Sequence, residues 1–304
     1  MEQPRYRIWN LRSNGIHLRS PDEDLPQALA DLVQIVCKDR DDPSEPSFHQ
    51  LKHDKRLHQL ENGVVETVVE DYFKDTLFPK PLMDLGRADN QPMCRDAVPD
   101  SGSQYKLGTP IPDLLFGYNL AAFSQQKAHL MSMGTTMMAN KANLVYPFLV
   151  VEFKGDGPLW VATNQCAGGS ASCVKIAERL NSPQTGSKGD QTRVIESAAF
   201  SIAMNGTEAR LYITWKHDDL DSYYMRKINS FLLQQPDQHL EFRKHVKNII
   251  DWGRGARLEG IREALDSLGR RAEAQTIPAS SLGTKRRASE LSSRNVKRAK
   301  RPVS

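Results

Sequence analysis

An acid and a base interrupt an otherwise apolar stretch of the chain, FLVVEFKG at residues 148–155. Residues 148–153 form a continuous run of the kind that becomes a strand buried on both faces. Glu152 lies inside this run and Lys154 follows two positions later, so the alternation of side chains along a strand directs both to the same face. Because uncompensated charge is costly in such surroundings, we expect Glu152 and Lys154 to serve a functional site.

Asp113 is the candidate for a second carboxylate. It begins another strand candidate, DLLFGY at residues 113–118, directly after Pro112. If this strand pairs with the strand of Glu152, the two carboxylates meet at one point. Mg²⁺ prefers such oxygen ligands, and an ammonium group beside them can orient water, lower its pKa or counter charge in the transition state. The set predicts metal-assisted phosphodiester hydrolysis, although an Asp after a Pro is also common turn chemistry.

Segments with helical periodicity surround these strands. Helices are predicted at residues 25–38, 61–77, 163–180 and 193–204, and over most of the chain between a third strand (209–215) and about residue 274. In this last region one apolar stripe contains Tyr224, Ile228, Phe231 and Leu232. Residues 40–55 and 85–108 lack periodicity and are predicted loops, and a Met-rich, helical insertion separates the first two strands.

The order of these elements predicts an α/β domain with a small mixed sheet and added N- and C-terminal helices. Residues 1–60 are expected to form an accessory helix and loops, residues 61–274 the main domain, and residues 275–304 a disordered basic tail. No apolar run is long enough to span a membrane, and the first residues lack a basic start followed by an apolar run, so neither membrane insertion nor secretion is expected. The four cysteines have no zinc-site spacing and are expected to be reduced thiols.

Positive charge is concentrated near residue 304. The net charge is +4, and the last twenty residues contain many Lys and Arg but one acid, Glu290. Two basic clusters match a bipartite nuclear-import signal, which predicts nuclear residence and an import receptor as partner. These clusters consist of Lys285, Arg286, Arg287, Lys297, Arg298, Lys300 and Arg301. A flexible cationic tail can also hold nucleic acid without sequence specificity.

Four blocks of the sequence resemble a fungal family of PD-(D/E)XK nuclease-like domains, which belongs to the restriction-endonuclease-like superfamily. The similar blocks are VVEFKGDG, ATNQCAGGSASC, NGTEARLYITWKH and FRKHVKNIIDWG, and the resemblance covers residues 20–270. Pro112-Asp113 and Glu152-Phe153-Lys154 match the motif that names the superfamily, a pattern that by itself occurs by chance in many proteins. The resemblance implies an α-β-β-β-α-β core and a nuclease that uses Mg²⁺ or Mn²⁺ to cut DNA or RNA.

The resemblance also implies the roles of the motif residues. Asp113, Glu152 and the backbone carbonyl of Phe153 would hold the metal, and Lys154 would act on the water. The 38 residues between Asp113 and Glu152 exceed a simple hairpin and require an insertion. They leave Asp100 as an alternative to Asp113.

Two further positions follow from the resemblance. A Glu on the first core helix would join the metal site, and Glu66 is preferred over Glu70 for this role. A Gln on the helix after the motif strand would face the site, and Gln165, beside Asn164, stands at that place. Taken alone, Glu66 and Glu70 fit a solvated helix face, and Gln165 fits the start of a helix before a flexible turn, CAGGSAS.

Three functions are therefore in competition. The leading hypothesis is a nuclear, Mg²⁺- or Mn²⁺-dependent nuclease, which the intact set of Asp113, Glu152 and Lys154 favours. The alternative is a catalytically silent binding or scaffold protein with the nuclease fold, whose partner is nucleic acid or protein. In a third reading the domain binds another protein and the basic tail serves only as a nuclear address.

Overall fold

A computed structural model describes residues 1–80, 84–181, 196–217 and 221–276 of the chain. The strands are β1 (Ile16–Arg19), β2 (Leu85–Asp89), β3 (Leu114–Tyr118), β4 (Val145–Phe153), β5 (Ala199–Met204), β6 (Glu208–Lys216) and β7 (Tyr223–Leu232). The α-helices are α1 (Gln27–Val36), α2 (Phe48–Lys52), α3 (Lys55–Gln59), α4 (Glu66–Thr76), α5 (Lys127–Ser132), α6 (Leu159–Asn181), α7 (Pro236–Trp252) and α8 (Leu258–Thr276). Short 3₁₀ and π-helical turns lie between them, including a π-turn at Arg7–Leu11.

The strands of the described residues form one mixed sheet in the order β1-β7-β6-β5-β4-β3-β2. β4 pairs with β5 in parallel and β1 pairs with β7 in parallel, whereas the other neighbours are antiparallel. β4 and β5 lie inside the sheet, and every one of their residues is buried. Their sequences are accordingly almost entirely apolar, as expected for strands covered on both faces.

Helices cover both faces of this sheet. On one face α6 lies so close to β4 that a Cβ at Gly169 would come within 3.2 Å of Val150, so glycine permits the approach. On the opposite face Phe73 of α4 stacks on Phe153, with ring centroids 6.5 Å apart. The α/β class with a mixed sheet is therefore confirmed, and the sheet is the middle layer of the core.

Two predicted helices are strands. Residues 199–204 form β5, so the helix predicted over 193–204 is wrong there, and residues 193–195 lie outside the described residues. A short apolar run buried on both faces cannot be distinguished from a buried helix by periodicity. Residues 223–232 form β7, where a register shift opposite Leu211/Tyr212 changes which side chains face the core. The bulge produced the helix-like spacing of the apolar stripe.

Both predicted loops contain regular structure. Residues 85–89 form β2, an edge strand. Its sequence LGRAD lacks apolar alternation, and the strand forms because β3 supplies hydrogen-bond partners for its backbone. Within the predicted loop 40–55, α2 begins at a capping box in which Ser47 and Gln50 satisfy each other's backbone groups. The predicted insertion between the first two strands is confirmed, because residues 119–144 connect the antiparallel neighbours β3 and β4.

Three further features of the fold bear on the expectations for the N-terminal region, α4 and α6. Residues 1–60 supply β1 to the sheet, so this region is more than an accessory helix and loops. α4 begins at Glu66 rather than residue 61, because Gly63 adopts a left-handed conformation (φ 74°) that ends the preceding turn. The segment CAGGSAS lies in the buried interior of α6, as the helix predicted at residues 163–180 requires, so the alternative of a flexible turn is wrong.

The remaining major elements are confirmed. Helices α1, α6 and α7 lie within or around their predicted ranges, as do the strands predicted at 113–118, 148–153 and 209–215. None of the described helices combines the length and apolar character needed to cross a bilayer. Residues 277–304 of the predicted basic tail, with its import signal, lie outside the described residues, whereas residues 275–276 still belong to α8.

Gly155 permits a backbone contact that is open to a direct test. A Cβ at this position would lie 2.6 Å from the Val64 carbonyl oxygen and 2.9 Å from the Glu66 nitrogen, where the chain enters α4. We expect Gly155→Ala to lower the free energy of unfolding by about 1–3 kcal/mol, because backbone atoms must move to admit the methyl group. Gly260→Ala in α8 is the control, since no atom of the described residues lies within 4 Å of its added Cβ and alanine favours a helix. Equal stability of the two variants in urea unfolding would contradict this account of Gly155.

Candidate functional site

The register of β3 and β4 brings two carboxylates together. Leu114 pairs with Val151, so the next step of the antiparallel ladder sets Asp113 opposite Glu152. Opposed residues in such a ladder point to the same face of the sheet. The structure thus places the two acids side by side where β3 begins and β4 ends.

Asp113 is held by the backbone of β4. The Phe153 N–H donates to Asp113 Oδ2 over 2.6 Å, and the Asn90 N–H donates to the carbonyls of Pro112 and Asp113. These bonds fix both the side chain and the main chain of Asp113. A strand, rather than a flexible turn, therefore positions this carboxylate.

Both carboxylates are removed from water. Glu152 is 1% exposed and Asp113 is 8% exposed. Burial raises the pKa of Asp113 to about 6; the Phe153 N–H and Lys154 oppose this shift, whereas Glu66 and Glu70 add to it. Burial raises the pKa of Glu152 well above its ordinary value, and the charge of Asp113 raises it further. The pair therefore favours a bound proton or cation over two bare negative charges.

One oxygen of this pair has no hydrogen-bond partner. Glu152 Oε2 is buried and finds no donor among the described residues. Buried acceptors are normally satisfied, so an unpaired carboxylate oxygen next to a second carboxylate marks a place with affinity for a proton, a water or a cation.

Lys154 links the end of β4 to α4. Its Nζ donates to Glu66 Oε2 over 2.9 Å and to the Phe153 carbonyl over 2.5 Å. The Lys154 side chain is 13% exposed and the Glu66 side chain is 43% exposed, so this pair lies at the opening of the site. Gly155 makes the contact possible, because it lets the chain after β4 lie against the first residues of α4.

The two glutamates of α4 have different partners. Glu66 contacts Lys154, whereas Glu70 pairs with Lys74 Nζ at 2.5 Å and accepts from Asn90 Nδ2 at 3.3 Å. Of the two, Glu66 is therefore the one in contact with the candidate site, through the ammonium group of Lys154. Asp100 lies apart, paired with Lys106 Nζ at 3.0 Å, so the structure does not bring it to Glu152.

Helix α6 supplies the third side of the site. Burial, followed by the negative charge of nearby Glu152, raises the pKa of the Cys166 thiol well above its ordinary value, which makes this cysteine a poor nucleophile. Gln165 precedes it, with Oε1 buried and without a hydrogen-bond partner among the described residues. Asn164 has other contacts: it accepts from Arg7 Nε at 3.1 Å and donates to the Met1 carbonyl at 3.3 Å.

The contact of Arg7 with α6 was not predicted. Arg7 belongs to the N-terminal π-turn, and burial lowers the pKa of its guanidinium. The signal available in the sequence was the run RYRIWNLR, which combines arginines with aromatic and aliphatic residues and contains no acid. Nothing in its spacing connects it to residue 164.

The donor set suits a hard divalent cation. Within the described ranges no group of three or more His, Cys, Asp or Glu side chains is placed to hold an ion. Asp113, Glu152 and the Phe153 carbonyl nevertheless offer oxygen ligands of the kind that Mg²⁺ and Mn²⁺ prefer, and Glu152 Oε2 has no hydrogen-bond partner among the residues that the structure describes. The residues present thus fit a cation that keeps several of its waters.

Comparison with known proteins identifies one matching family. Residues 47–265 match DUF7924, a family described as a domain of unknown function. The matched span begins just before α2 and ends within α8, and it contains Asp113, Glu152 and Lys154. No curated protein matches the chain.

The raised pKa of Asp113 predicts how stability depends on pH. Because its folded-state pKa is about 6, against an ordinary value of 3.8, the folded protein holds this proton more tightly than the unfolded chain. The resulting stabilisation is complete below the unfolded pKa and is lost as the pH rises through 6. In EDTA, Asp113→Asn should therefore gain stability relative to the wild type between pH 4 and pH 8, on the order of 2 kcal/mol, because most of the pKa shift acts within this window at about 1.4 kcal/mol per pKa unit.

Urea unfolding at both pH values measures this difference. Asp100→Asn is the control, because the Gly102 N–H and Lys106 lower the pKa of Asp100 and the gain should be absent. A stability difference between Asp113→Asn and the wild type that is the same at pH 4 and pH 8 would refute the assignment.

Proposed function

The chain belongs to the DUF7924 family, and we propose that it is a Mg²⁺- or Mn²⁺-dependent nuclease with a restriction-endonuclease-like core. The observation that carries the proposal is that two buried carboxylates, Asp113 and Glu152, lie side by side at the end of the β3–β4 pair, and that Glu152 Oε2 has no hydrogen-bond partner in the described part of the chain. Lys154 lies beside them at the opening of the site. This combination is costly for stability and useful for phosphodiester hydrolysis.

The order of the elements supports the same proposal. From α4 the chain runs through β2, β3, β4, α6 and β5, with α5 between β3 and β4. Apart from α5, this is the α-β-β-β-α-β order that the sequence resemblance implies. Asp113 stands at the beginning of the second of these strands and Glu152 near the end of the third.

Each residue has a role that follows from its position. Asp113, Glu152 and the Phe153 carbonyl would hold the ion. The ion would supply a Lewis acid and lower the pKa of a bound water. Lys154 would orient that water or stabilise negative charge on the phosphate oxygens, and Glu66 would hold Lys154 in reach. Gln165 would approach the site from α6, as the sequence resemblance implies.

Ion binding and protonation compete at the same oxygens. Since burial favours the protonated forms of Asp113 and Glu152, a divalent ion must displace these protons. Affinity for the ion should consequently rise with pH through the range in which the pair titrates. The proposal thus links an unusual electrostatic property of the fold to its chemistry.

A second candidate function is binding without catalysis. It is favoured by the two hydrogen bonds that hold Lys154 to Glu66 and to the Phe153 carbonyl, which leave the ammonium engaged within the protein. In that case Lys154 has a structural role, in which it joins β4 to α4. The experiments below distinguish the two functions.

We also propose that the protein acts in the nucleus. The support is the pair of basic clusters beginning at Lys285 and Lys297, which would engage an import receptor. The same clusters would add affinity for the phosphates of the substrate.

Ion binding should stabilise the fold. At pH 8, an Mn²⁺ concentration about 100 times its dissociation constant should add about 2.7 kcal/mol to the free energy of unfolding of the wild type. Glu152→Gln should lose most of this gain, whereas Glu70→Gln should keep it because Glu70 is paired with Lys74. Thermal or urea unfolding with and without Mn²⁺ gives the answer. An equal response of the wild type and Glu152→Gln would place the ion elsewhere.

Cleavage of labelled single- and double-stranded DNA and RNA tests the activity itself. With Mg²⁺ or Mn²⁺ we expect cutting by the wild type and a loss of about 100-fold or more in Glu152→Gln and Lys154→Met. Glu70→Gln again serves as the control, because Glu70 is paired with Lys74 and should not affect cutting. If the folded wild type binds Mn²⁺ but cuts none of these substrates, the binding function replaces the nuclease.

A further inference from the structure

A surface formed by the N-terminal π-turn and residues 105–106 exposes aromatic and basic groups together. We call it the N-terminal aromatic surface and define it by Arg5, Ile8, Trp9, Tyr105 and Lys106. Ile8 is 56% exposed, Trp9 40% and Tyr105 38%, although side chains of this kind are normally covered. Exposed aromatic groups surrounded by charge are typical of binding surfaces.

The planar groups of this surface stack on one another. The rings of Trp9 and Tyr105 lie 5.6 Å apart at 28°, and the Arg5 guanidinium lies 4.9 Å from the Trp9 ring centroid. Two aromatic rings and a guanidinium therefore form a stack that remains open to solvent. An additional flat ring can extend it at low cost.

The main chain beneath the stack is held in place. Asn10 Nδ2 donates to the Lys106 carbonyl over 2.8 Å, and Asn14 Nδ2 donates to the Tyr105 carbonyl over 2.6 Å. These bonds join the N-terminal segment to residues 105–106. The arrangement exists before any ligand arrives, which reduces the entropy lost on binding.

The surface is positively charged on its N-terminal side. Residues 1–19 contain four arginines and one acid, Glu2, and two of the arginines are engaged elsewhere, Arg7 with Asn164 and Arg19 with Glu23. Arg5 and Arg12 are exposed, whereas Lys106 is partly compensated by Asp100 at 3.0 Å. The excess cations suit the phosphates of a polyanion, and the rings beside them suit flat bases.

The chain connects this surface with the candidate site. Residues 105–113 run from Tyr105 to Asp113 and leave Ile111 51% exposed. At the other end Arg7 donates to Asn164, the residue before Gln165 on α6. Both segments that form the surface are therefore connected to elements of the candidate site, one by the chain that continues to Asp113 and the other by the hydrogen bond to α6.

We propose that the N-terminal aromatic surface binds single-stranded nucleic acid by stacking unpaired bases on Trp9 and Tyr105. The inference rests on the proposed function, because it names the form of substrate that would reach Asp113 and Glu152. Unpaired bases present their flat faces to a protein, whereas the bases of a duplex are stacked on each other. Double-stranded DNA and an acidic polypeptide lack this feature, and they serve as competing ligands in the test.

The experiment measures binding of the full chain in EDTA, where metal-dependent cutting is stopped. Fluorescence anisotropy with labelled oligo-dT and oligo-U is recorded at a salt concentration that weakens the phosphate contacts of the basic tail. Trp9→Leu and Tyr105→Leu should each weaken binding about 5- to 100-fold, the range for the loss of a base–aromatic stack. Trp9→Phe should retain most of the affinity, since it keeps a ring. Phe48→Leu is the control, because Phe48 is 46% exposed and lies on α2.

Thermal melting of each variant separates lost stacking from lost folding. Normal melting with weak binding in Trp9→Leu supports the inference. Wild-type affinity in Trp9→Leu and Tyr105→Leu, no binding of single strands by the wild type, or tighter binding of a duplex or of poly-glutamate would overturn it. If the wild type cuts nucleic acid and Trp9→Leu binds normally, only this inference fails. If binding depends on Trp9 but no substrate is cut, only the nuclease proposal fails.

Discussion

The hydrogen bond from the Phe153 N–H to Asp113 Oδ2 holds a carboxylate at the end of the β3–β4 pair, where little water reaches it. The sheet register then places Glu152 directly beside it. Two carboxylates this close and this buried cannot both be ionised without a compensating charge. The position of β4 inside the sheet, the packing of α6 and the coverage by α4 all produce this burial. The electrostatic cost of the two carboxylates is therefore a property of the whole fold. A folded protein that keeps such a pair has a group of oxygens prepared for a proton or a cation.

Lys154 shows how the fold compensates part of this charge. Its ammonium joins Glu66 at the beginning of α4 to the main chain at the end of β4. Gly155 allows the two elements to come this close, because any larger residue would meet the backbone before Glu66. The glutamate side of this ion pair is exposed to solvent, whereas the lysine side chain is largely covered. Stability and the proposed chemistry therefore depend on the same short contact between β4 and α4.

The N-terminal segment extends this arrangement outward. It contributes β1 to one edge of the sheet and places Arg7 on α6, close in sequence to Gln165. Between these contacts it exposes Trp9 beside Tyr105. The first forty-six residues precede the span matched by DUF7924, yet they are built into the same sheet and core. A site and the surface that would deliver its ligand are thus parts of one packed unit.

The sequence alone determined the features that depend on local pattern. The apolar run around Glu152 and the spacing to Lys154 were sufficient to predict two strands whose acids meet if the strands pair, whereas the long connection from Asp113 left Asp100 as an alternative. The amphipathic helices α1 and α7 could likewise be predicted, because their apolar residues recur with helical periodicity. Pairing decided the rest: β5 and β7 have sequences compatible with helices, and only their neighbours in the sheet and a bulge make them strands. The choice of Glu66 over Glu70 as the partner of Lys154, and the contact of Trp9 with Tyr105, which are ninety-six positions apart, likewise come from tertiary packing. Such contacts join residues distant in the chain, and no local period records them.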